Sequence, residues 1–167
     1  MEIRTIRPDD DRLALSGVYE TSWRWAYRGI VPQAFLDALP AGRWRDFFDA
    51  PGVYTLVAVD GSVYAGTASF GPSRFAEYGG SGEVISLYLR PEYTGRGLGR
   101  ALLEAALDAL DAMGFDEVFL WGLEENTRAR AFYERAGFVC SGDALNDEIG
   151  GRPVRELRYV FHVKGGV

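Results

Sequence analysis

The turn between residues 94 and 100 reads Thr94-Gly95-Arg96-Gly97-Leu98-Gly99-Arg100, and it connects a β-rich run, Glu83 to Leu89, to an amphipathic helix. A helix N-terminus carries backbone N–H groups without intrahelical partners and the positive end of the helix dipole, so it attracts anions. Glycines at positions 95, 97 and 99 remove side chains that would hold a phosphate away from these donors. The turn therefore predicts an anion-binding site, with a merely tight strand-to-helix connection as the simpler alternative.

Hydrophobic periodicity defines the elements that follow this turn. The first helix has one continuous apolar face, formed by Leu102, Ala105, Ala106, Ala109, Leu110 and Met113. Gly114 is its expected end, and Val118 to Trp121 is a short, fully apolar strand of the kind found buried in parallel sheets. A second amphipathic helix begins after Asn126 and stops at Gly137. This order predicts a parallel strand pair with a right-handed crossover.

The rest of the chain is predicted to alternate between short helices and strands. Helices are expected from Asp9 to about Trp25, from Pro32 to Leu39 and from Arg43 to Asp49. Strands are expected over Ile3 to Ile6, Val53 to Val59, Val63 to Phe70, one segment after Phe138, and Val154 to Val163. A mobile glycine-rich loop is expected from Gly71 to Gly82, and an acidic turn region that contains Asp143, Asp147, Glu148 and Gly150-Gly151. No repeat or linker interrupts residues 1–167, so one mixed α/β domain is predicted.

Composition limits the function classes. The net charge of −6 argues against nonspecific binding to nucleic acid or to an anionic membrane. No apolar run approaches the ~20 residues of a membrane span, and the first four residues lack a signal-peptide pattern, so a cytoplasmic protein is expected. Cys140 is the only cysteine and His162 the only histidine, which argues against disulfides and metal centres. Its apolar neighbours predict that Cys140 is a small buried hydrophobic residue.

Two motifs in the segment from Glu83 to Phe138 resemble the GNAT superfamily of N-acetyltransferases, which use acetyl-CoA. The family's pyrophosphate loop, Gln/Arg-x-x-Gly-x-Gly/Ala, is similar to residues 94–99, although Thr94 stands where the family usually has Gln or Arg. The second signature, an Asn followed seven residues later by Tyr and then by Gly-Phe, is matched by Asn126, Tyr133 and Gly137-Phe138. The resemblance implies a mixed sheet of about seven strands, splayed between the fourth and fifth and flanked by about four helices.

The resemblance also implies how acetyl-CoA is held. Backbone groups of Leu87, Tyr88 and Leu89 would bind the pantetheine arm, and one of them would polarise the thioester carbonyl. The pyrophosphate would be held by the turn, whose residues are Thr94, Gly95, Arg96, Gly97, Leu98, Gly99 and Arg100. Asn126 would touch pantetheine, a role compatible with capping the following helix.

Two proton-transfer roles follow from the same resemblance. Glu83 corresponds to the family's general base, and because it lies roughly 13 Å from Leu87 along the strand, a water relay is expected. The alternative for Glu83 is a solvated carboxylate at a strand end. Tyr133 corresponds to the acid that returns a proton to the CoA thiolate, since a phenol with a pKa near 10 stays protonated until a strong base arrives. Its alternative is core packing.

The acceptor is predicted less sharply than the cofactor. Trp23, Trp25 and Tyr27 surround a break between the first helices and are candidates for the wall of an acceptor pocket, or else for plain core. The acidic turn could attract a cationic amine, or it could be a solvated loop. The acceptor is expected to be a small-molecule or peptide amine, and a homodimer is suggested by analogy with the family.

Two other functions remain open at this stage. The chain could be an acyl-CoA-binding sensor or structural module without turnover, or an enzyme that binds a nucleotide phosphate with the same turn. The second is disfavoured because no Gly-Lys-Ser/Thr follows the turn, as a P-loop requires. A dinucleotide fingerprint is also absent, since Leu102 stands where glycine or alanine belongs.

Overall fold

Seven strands form one mixed sheet in the computed structural model, which describes residues 1–163 of the chain. The strands are Glu2–Thr5 (β1), Tyr54–Asp60 (β2), Val63–Pro72 (β3), Gly82–Leu89 (β4), Glu117–Leu123 (β5), Val139–Ile149 (β6) and Arg152–His162 (β7). The helices are Arg12–Ala26 (α1), Gln33–Asp37 (α2), Leu98–Ala112 (α3) and Thr127–Arg135 (α4). Within the same residues, short 3₁₀ turns span Arg45–Asp49, Ala76–Tyr78 and Pro91–Tyr93. No helix among residues 1–163 is long and apolar enough to cross a membrane.

The strands are arranged in the order β1-β2-β3-β4-β5-β7-β6, and every neighbouring pair is antiparallel except β4 and β5. These two are parallel and pair at just two positions, Gly82 with Val118 and Glu83 with Phe119. Beyond Glu83 the ladder stops, so the two strands part toward their C-terminal ends. The predicted mixed α/β class, with a sheet splayed between its fourth and fifth strands and four helices in the described part of the chain, is confirmed.

Helices cover both faces of the sheet. α3 buries Leu102 and Leu110 completely, in a core that includes Ala58 of β2. α1 packs on the opposite face, where Tyr19 lies in a separate cluster with Val57, the β2 residue next to Ala58. Neighbouring residues of a strand point to opposite faces, so the two clusters lie on either side of the sheet. The parting of β4 and β5 therefore lies between two helical layers.

The glycine-rich segment between β3 and β4 packs against a strand that is distant in sequence. Its rings pack on β5: Phe75 lies 5.6 Å from Trp121 and Tyr78 lies 5.2 Å from Phe119, measured between ring centroids. The predicted loop from residue 71 to 82 is wrong at its start, because β3 continues to Pro72. Local glycine content favours a loop, but aromatic partners from a distant strand hold it in place.

The C-terminal region also departs from prediction. The acidic residues of the expected turn region lie in β6, whereas its glycine pair, Gly150-Gly151, forms the turn as predicted, with positive φ angles of 61° and 82°. Cys140 is exposed and the prediction of burial is wrong, because β6 is the edge strand of the sheet. The helix predicted from Arg43 to Asp49 is a 3₁₀ turn over its last five residues.

Candidate active site

A cleft of about 790 Å³ opens where β4 and β5 part. Its border is formed by both strands, the start of α3, one side of α4, the end of α1, and residues of β6 and β7. The sheet is therefore interrupted by a gap, and helices border this gap. Most of the predicted site residues border this gap: Trp23, Trp25, Tyr27, Glu83, Leu87, Tyr88, Leu89, Thr94, Gly95, Gly97, Gly99, Arg100, Asn126 and Tyr133.

The free edge of β4 supplies backbone donors to the cleft. The amide of Arg90, just past the strand, donates to the carbonyl of Ala65 on the β3 side at 2.9 Å. Successive amides of a strand point to opposite edges, so those of Leu89 and Leu87 point toward the gap. The leucine side chains pack against the core, and the ring of Tyr88 lies 4.6 Å from that of Tyr19. The polar groups that the free edge of β4 presents to the gap are therefore main-chain amides.

The glycine turn supplies a second set of backbone donors. Gly95 and Gly97 have φ angles of 74° and 82°, a conformation that side-chain-bearing residues avoid. Gly97 caps α3 without any side-chain hydrogen bond, so the amides of the first helical turn are left for a ligand. The Thr94 hydroxyl donates to the carbonyl of Pro91 at 2.7 Å and stabilises the turn.

Gly99 lies where three elements approach one another closely. A Cβ there would lie 3.3 Å from the Leu89 side chain and 3.6 Å from the Phe132 ring, which brings α3, β4 and α4 together at one point. Two predicted residues of the turn do not border the cleft with their side chains. Leu98 is buried in the core, and the guanidinium of Arg96 lies 5.5 Å from the centroid of the Tyr93 ring.

Asn126 and Tyr133 lie on the α4 side of the cleft. Asn126 caps α4 by accepting a hydrogen bond from the amide of Ala129 at 3.2 Å. Tyr133 is half-buried, with its ring 6.0 Å from that of Tyr159, and its hydroxyl has no hydrogen-bond partner among residues 1–163. Burial, and then the nearby Tyr88, raise the pKa of Tyr133 well above 10. The phenol is therefore protonated and free to donate to a ligand.

Glu83 is buried and paired, unlike the solvated carboxylate considered as its alternative. Its side chain is 1% exposed, and the Arg74 guanidinium donates to both oxygens, at 2.7 Å and 3.0 Å. The backbone amide of Arg74 adds a third hydrogen bond at 3.1 Å. Arg74 was missed by sequence reasoning because it lies in the segment that looked like a mobile loop. The pair leaves Glu83 little free acceptor capacity toward the cleft.

An aromatic wall closes the end of the cleft near α1. Trp23 packs 4.8 Å from Tyr27, whose hydroxyl lies 3.5 Å from that of Tyr88. Burial raises the pKa of Tyr27 to about 12, so this phenol also stays neutral. The Arg128 guanidinium lies 4.5 Å from the centroid of the Trp25 ring and thereby joins α4 to α1 across the cleft.

Glu156 borders the cleft and was not predicted. It lies on β7 between Leu123 of β5 and Leu145 of β6, and it is half-buried. Asp147 and Glu148 of β6 border the same region and are exposed. The sequence does not indicate that Glu156 borders a cleft. An acidic residue next to an apolar one, such as Leu157, is typical of any strand with one solvated face.

The family model of the acetyltransferase (GNAT) family matches residues 16–138, which include the parted strands, the glycine turn and α4. The chain belongs to the GNAT acetyltransferase family. GNAT proteins bind acetyl-CoA and are acyltransferases, so the fold and the enzyme class predicted from the two motifs are confirmed.

Individual GNAT relatives agree with this assignment. An uncharacterized N-acetyltransferase of Bacillus subtilis, YuaI, is 35% identical over 120 residues, which are 70% of this chain and 69% of that protein. A mycothiol acetyltransferase of Salinispora arenicola is 39% identical over 128 residues. The match covers 68% of this chain and 40% of that protein, so the chain spans less than half of this relative.

The fold is shared with solved GNAT structures. The PaiA N-acetyltransferase of Thermoplasma acidophilum, solved in complex with coenzyme A, superposes with a TM-score of 0.68 at 23% sequence identity. The superposition covers 93% of this chain and 98% of that chain. The order of elements around the parted strands is therefore that of a GNAT domain.

Proposed function

We propose that this protein transfers an acetyl group from acetyl-CoA to a primary amine by direct attack in a ternary complex. The observation that carries the proposal is the gap between β4 and β5. Unpaired backbone donors lie along the β4 side of this gap and at the glycine turn before α3. A gap of this kind has the shape to hold the extended pantetheine arm of acetyl-CoA, with the attached diphosphate at the glycine turn. Its other end opens on the aromatic wall, where an acceptor amine would enter.

The cofactor is held by backbone groups in this proposal. Amides between Gly95 and Arg100 bind the pyrophosphate, and the amides of Leu87 and Leu89 face the pantetheine arm and the thioester. An amide aimed at the oxygen that gains charge during attack stabilises the transition state, typically by about 3–4 kcal/mol. Thr94 contributes to turn geometry rather than to a charged contact, because its hydroxyl is already engaged.

Tyr133 acts at the sulfur. Its hydroxyl borders the cleft with no hydrogen-bond partner among residues 1–163, and its raised pKa keeps it protonated at neutral pH. As the carbon–sulfur bond breaks, the phenol donates first a hydrogen bond and then its proton to the thiolate. Asn126 is the N-cap of α4, the helix that carries Tyr133. Its hydrogen bond to the Ala129 amide fixes the start of that helix.

The amine must lose a proton before it attacks, because a primary amine with a pKa near 10 is mostly an ammonium ion at neutral pH. Glu83 acting through a water molecule remains the base predicted from the resemblance. Its two hydrogen bonds to the Arg74 guanidinium oppose a direct role, since both carboxylate oxygens are already engaged.

The proposal is tested by measuring free-thiol release from acetyl-CoA with a panel of primary amines, together with thermal unfolding. Acetyl-CoA at about 100 times its Kd should stabilise the fold by about 2.7 kcal/mol. For a chain of this size that is a rise in Tm of about 5–10 °C. ATP at the same concentration should leave Tm unchanged, and a rise with ATP alone would favour a nucleotide enzyme.

A binding module without turnover could also have Glu83 paired with Arg74. The same assay therefore tests whether the protein is such a module. Stabilisation by acetyl-CoA with no thiol release from any amine would support the module and contradict the enzyme. Amine-dependent thiol release above the rate of spontaneous hydrolysis would exclude the module.

A further inference from the structure

Four carboxylates of residues 1–163 border the cleft, and their environments differ: Glu83, Asp147, Glu148 and Glu156. Glu83 is paired with Arg74, and Asp147 accepts a hydrogen bond from the backbone amide of Glu148 at 2.7 Å. Glu156 is half-buried, and no hydrogen bond or ion pair joins its carboxylate to any group in the described part of the chain. A carboxylate that is partly desolvated and unpartnered beside a ligand cavity has acceptor capacity available for a substrate.

Strand register places Glu156 on the same face of the sheet as Glu83, opposite to the α3 core. Glu83 pairs with Phe119 and Glu156 pairs with Leu123, which lies four residues further along β5. Residues an even number apart on a strand share a face, so Glu83 and Glu156 project to the same face as Trp121. The neighbouring Leu157 projects to the other face, into the α3 core.

Charged and titratable groups from three other elements face Glu156. Asp147 of β6 and Arg74 from the segment after β3 both act electrostatically on it, and Glu156 in turn raises the pKa of Tyr27 at the end of α1. Glu148 borders the same end of the cleft. Arg74 is already paired with Glu83, so the charges of Glu156 and Asp147 are the ones left to attract a cation at this place.

We propose that Glu156, rather than Glu83, accepts the proton of the acceptor ammonium, and that the acceptor enters as a cation between Glu156 and the aromatic wall. The inference rests on the proposed acetyl transfer. Burial, and then Asp147, raise the pKa of Glu156, which brings this carboxyl closer to a group that takes up a proton near neutral pH.

Protons and electrons balance over one turnover. The N–H bond of the ammonium breaks and its proton moves to a Glu156 oxygen, directly or through one water molecule. The freed lone pair forms the new bond to the acetyl carbon, the carbon–sulfur bond breaks, and the sulfur takes the proton of Tyr133. The nitrogen, which is positively charged after the attack, loses its second proton, and this proton restores the Tyr133 phenol through solvent. Glu156 releases the first proton to solvent, so one turnover releases one proton in all.

The test compares Glu156→Gln with Glu83→Gln, using the best acceptor from a panel of small primary amines and following thiol release from about pH 6 to 10, a range that ends near a typical amine pKa. Glu156→Gln should lower kcat/KM roughly 10²- to 10³-fold at neutral pH. The deficit should shrink as the pH approaches the pKa of the amine, because the free base then needs no protein acceptor. A merely structural role would lower the rate equally at every pH.

Two measurements keep the result interpretable. The Kd for acetyl-CoA should be unchanged in Glu156→Gln, and its Tm unchanged or higher, because an unpaired half-buried charge has been removed. Glu77→Gln, the same replacement at an exposed position outside the cleft, should match wild type at every pH.

The possible outcomes separate the two proposals. Wild-type turnover with an unaltered pH profile in Glu156→Gln would overturn this inference and leave acetyl transfer standing. A deficit that shrinks with pH in Glu83→Gln instead would assign the base to Glu83. Absence of thiol release from the wild-type protein with every amine would overturn both.

Discussion

The surroundings of Tyr133 suit it to the role that we propose for it. Its ring packs against aromatic neighbours, among them Tyr159, whose ring centroid lies 6.0 Å away. Burial raises its pKa, and its hydroxyl is left without a partner among residues 1–163. A neutral donor held in place beside the cleft is what protonation of a departing thiolate requires.

Replacing Tyr133 by Phe removes the donor and keeps the ring. We expect kcat for amine-dependent thiol release to fall roughly 10²- to 10⁴-fold, the usual contribution of a general acid. The Kd for acetyl-CoA, measured by calorimetry, should change little because the backbone contacts remain. Tyr54→Phe, on the exposed face of β2, is the matched control and should behave as wild type. Unchanged turnover in Tyr133→Phe would remove Tyr133 as the acid.

The junction of β4 and α3 carries the proposed cofactor site because of how both elements end. β4 has no pairing with β5 after Glu83. Gly97, the N-cap of α3, has a φ angle of 82° that turns the chain sharply into the helix. Both features expose backbone amides in the same gap. A site built from main chain tolerates side-chain changes, such as Thr94, but depends on backbone conformation.

Gly97→Ala tests this dependence on conformation. A Cβ at position 97 would meet no atom of residues 1–163 within 4 Å, so the expected cost is the left-handed backbone alone, about 1–2 kcal/mol. We expect acetyl-CoA to bind at least tenfold more weakly as well, since relaxing this strain rotates the amides of the first helical turn. The measurements are urea unfolding and calorimetry.

Gly61→Ala is the matched control for this change. Gly61 has a φ angle of 60° and lies in the β2–β3 turn outside the cleft, and a Cβ added there would likewise meet no described atom within 4 Å. The variant should lose comparable stability and keep its affinity for acetyl-CoA. Equal loss of affinity in both variants would show that the effect is global and not specific to the turn.

The fold of the entire domain depends on contacts that are separate from the cleft. Asp10, just before α1, forms two 2.8 Å hydrogen bonds with the Arg4 guanidinium of β1 and accepts another from the Tyr64 hydroxyl of β3. The Asp10 side chain is 6% exposed, and hydrogen bonding to Arg4 holds its pKa well below the usual range. This carboxylate fixes the N-terminal edge of the sheet to the helix above it.

Asp10→Asn should therefore destabilise the protein in a pH-dependent way. A carboxyl whose pKa is lowered on folding contributes stability that is present above its unfolded pKa of about 3.9 and is lost as the pH falls toward its folded value. We expect a loss of about 2 kcal/mol at pH 7 that becomes smaller at pH 3, measured by urea unfolding. Acetyl-CoA affinity should be unchanged, and an equal loss at both pH values would contradict the ionic origin.

Several parts of the candidate site could be predicted because their determinants are local. The glycine turn, the apolar face of α3 and the Asn126 cap are each set by residues within about one or two helical turns of chain. Tyr133 follows from its position on the same helix as Asn126. The contacts of the glycine-rich loop and of the acidic residues on β6 could not be predicted, because they come from β5 and β7, which lie far along the chain.

The linear order of residues was enough to predict a strand, a glycine turn at the start of a helix and two amphipathic helices, and through them the enzyme family. It could not establish which carboxylates meet in the cleft. Arg74 neutralises Glu83 because a loop folds back on β4, and Glu156 borders the cleft because β7 inserts between β5 and β6. Such contacts depend on strand order and on burial, which alter the charge and proton affinity of a side chain without leaving a trace in its neighbours along the chain.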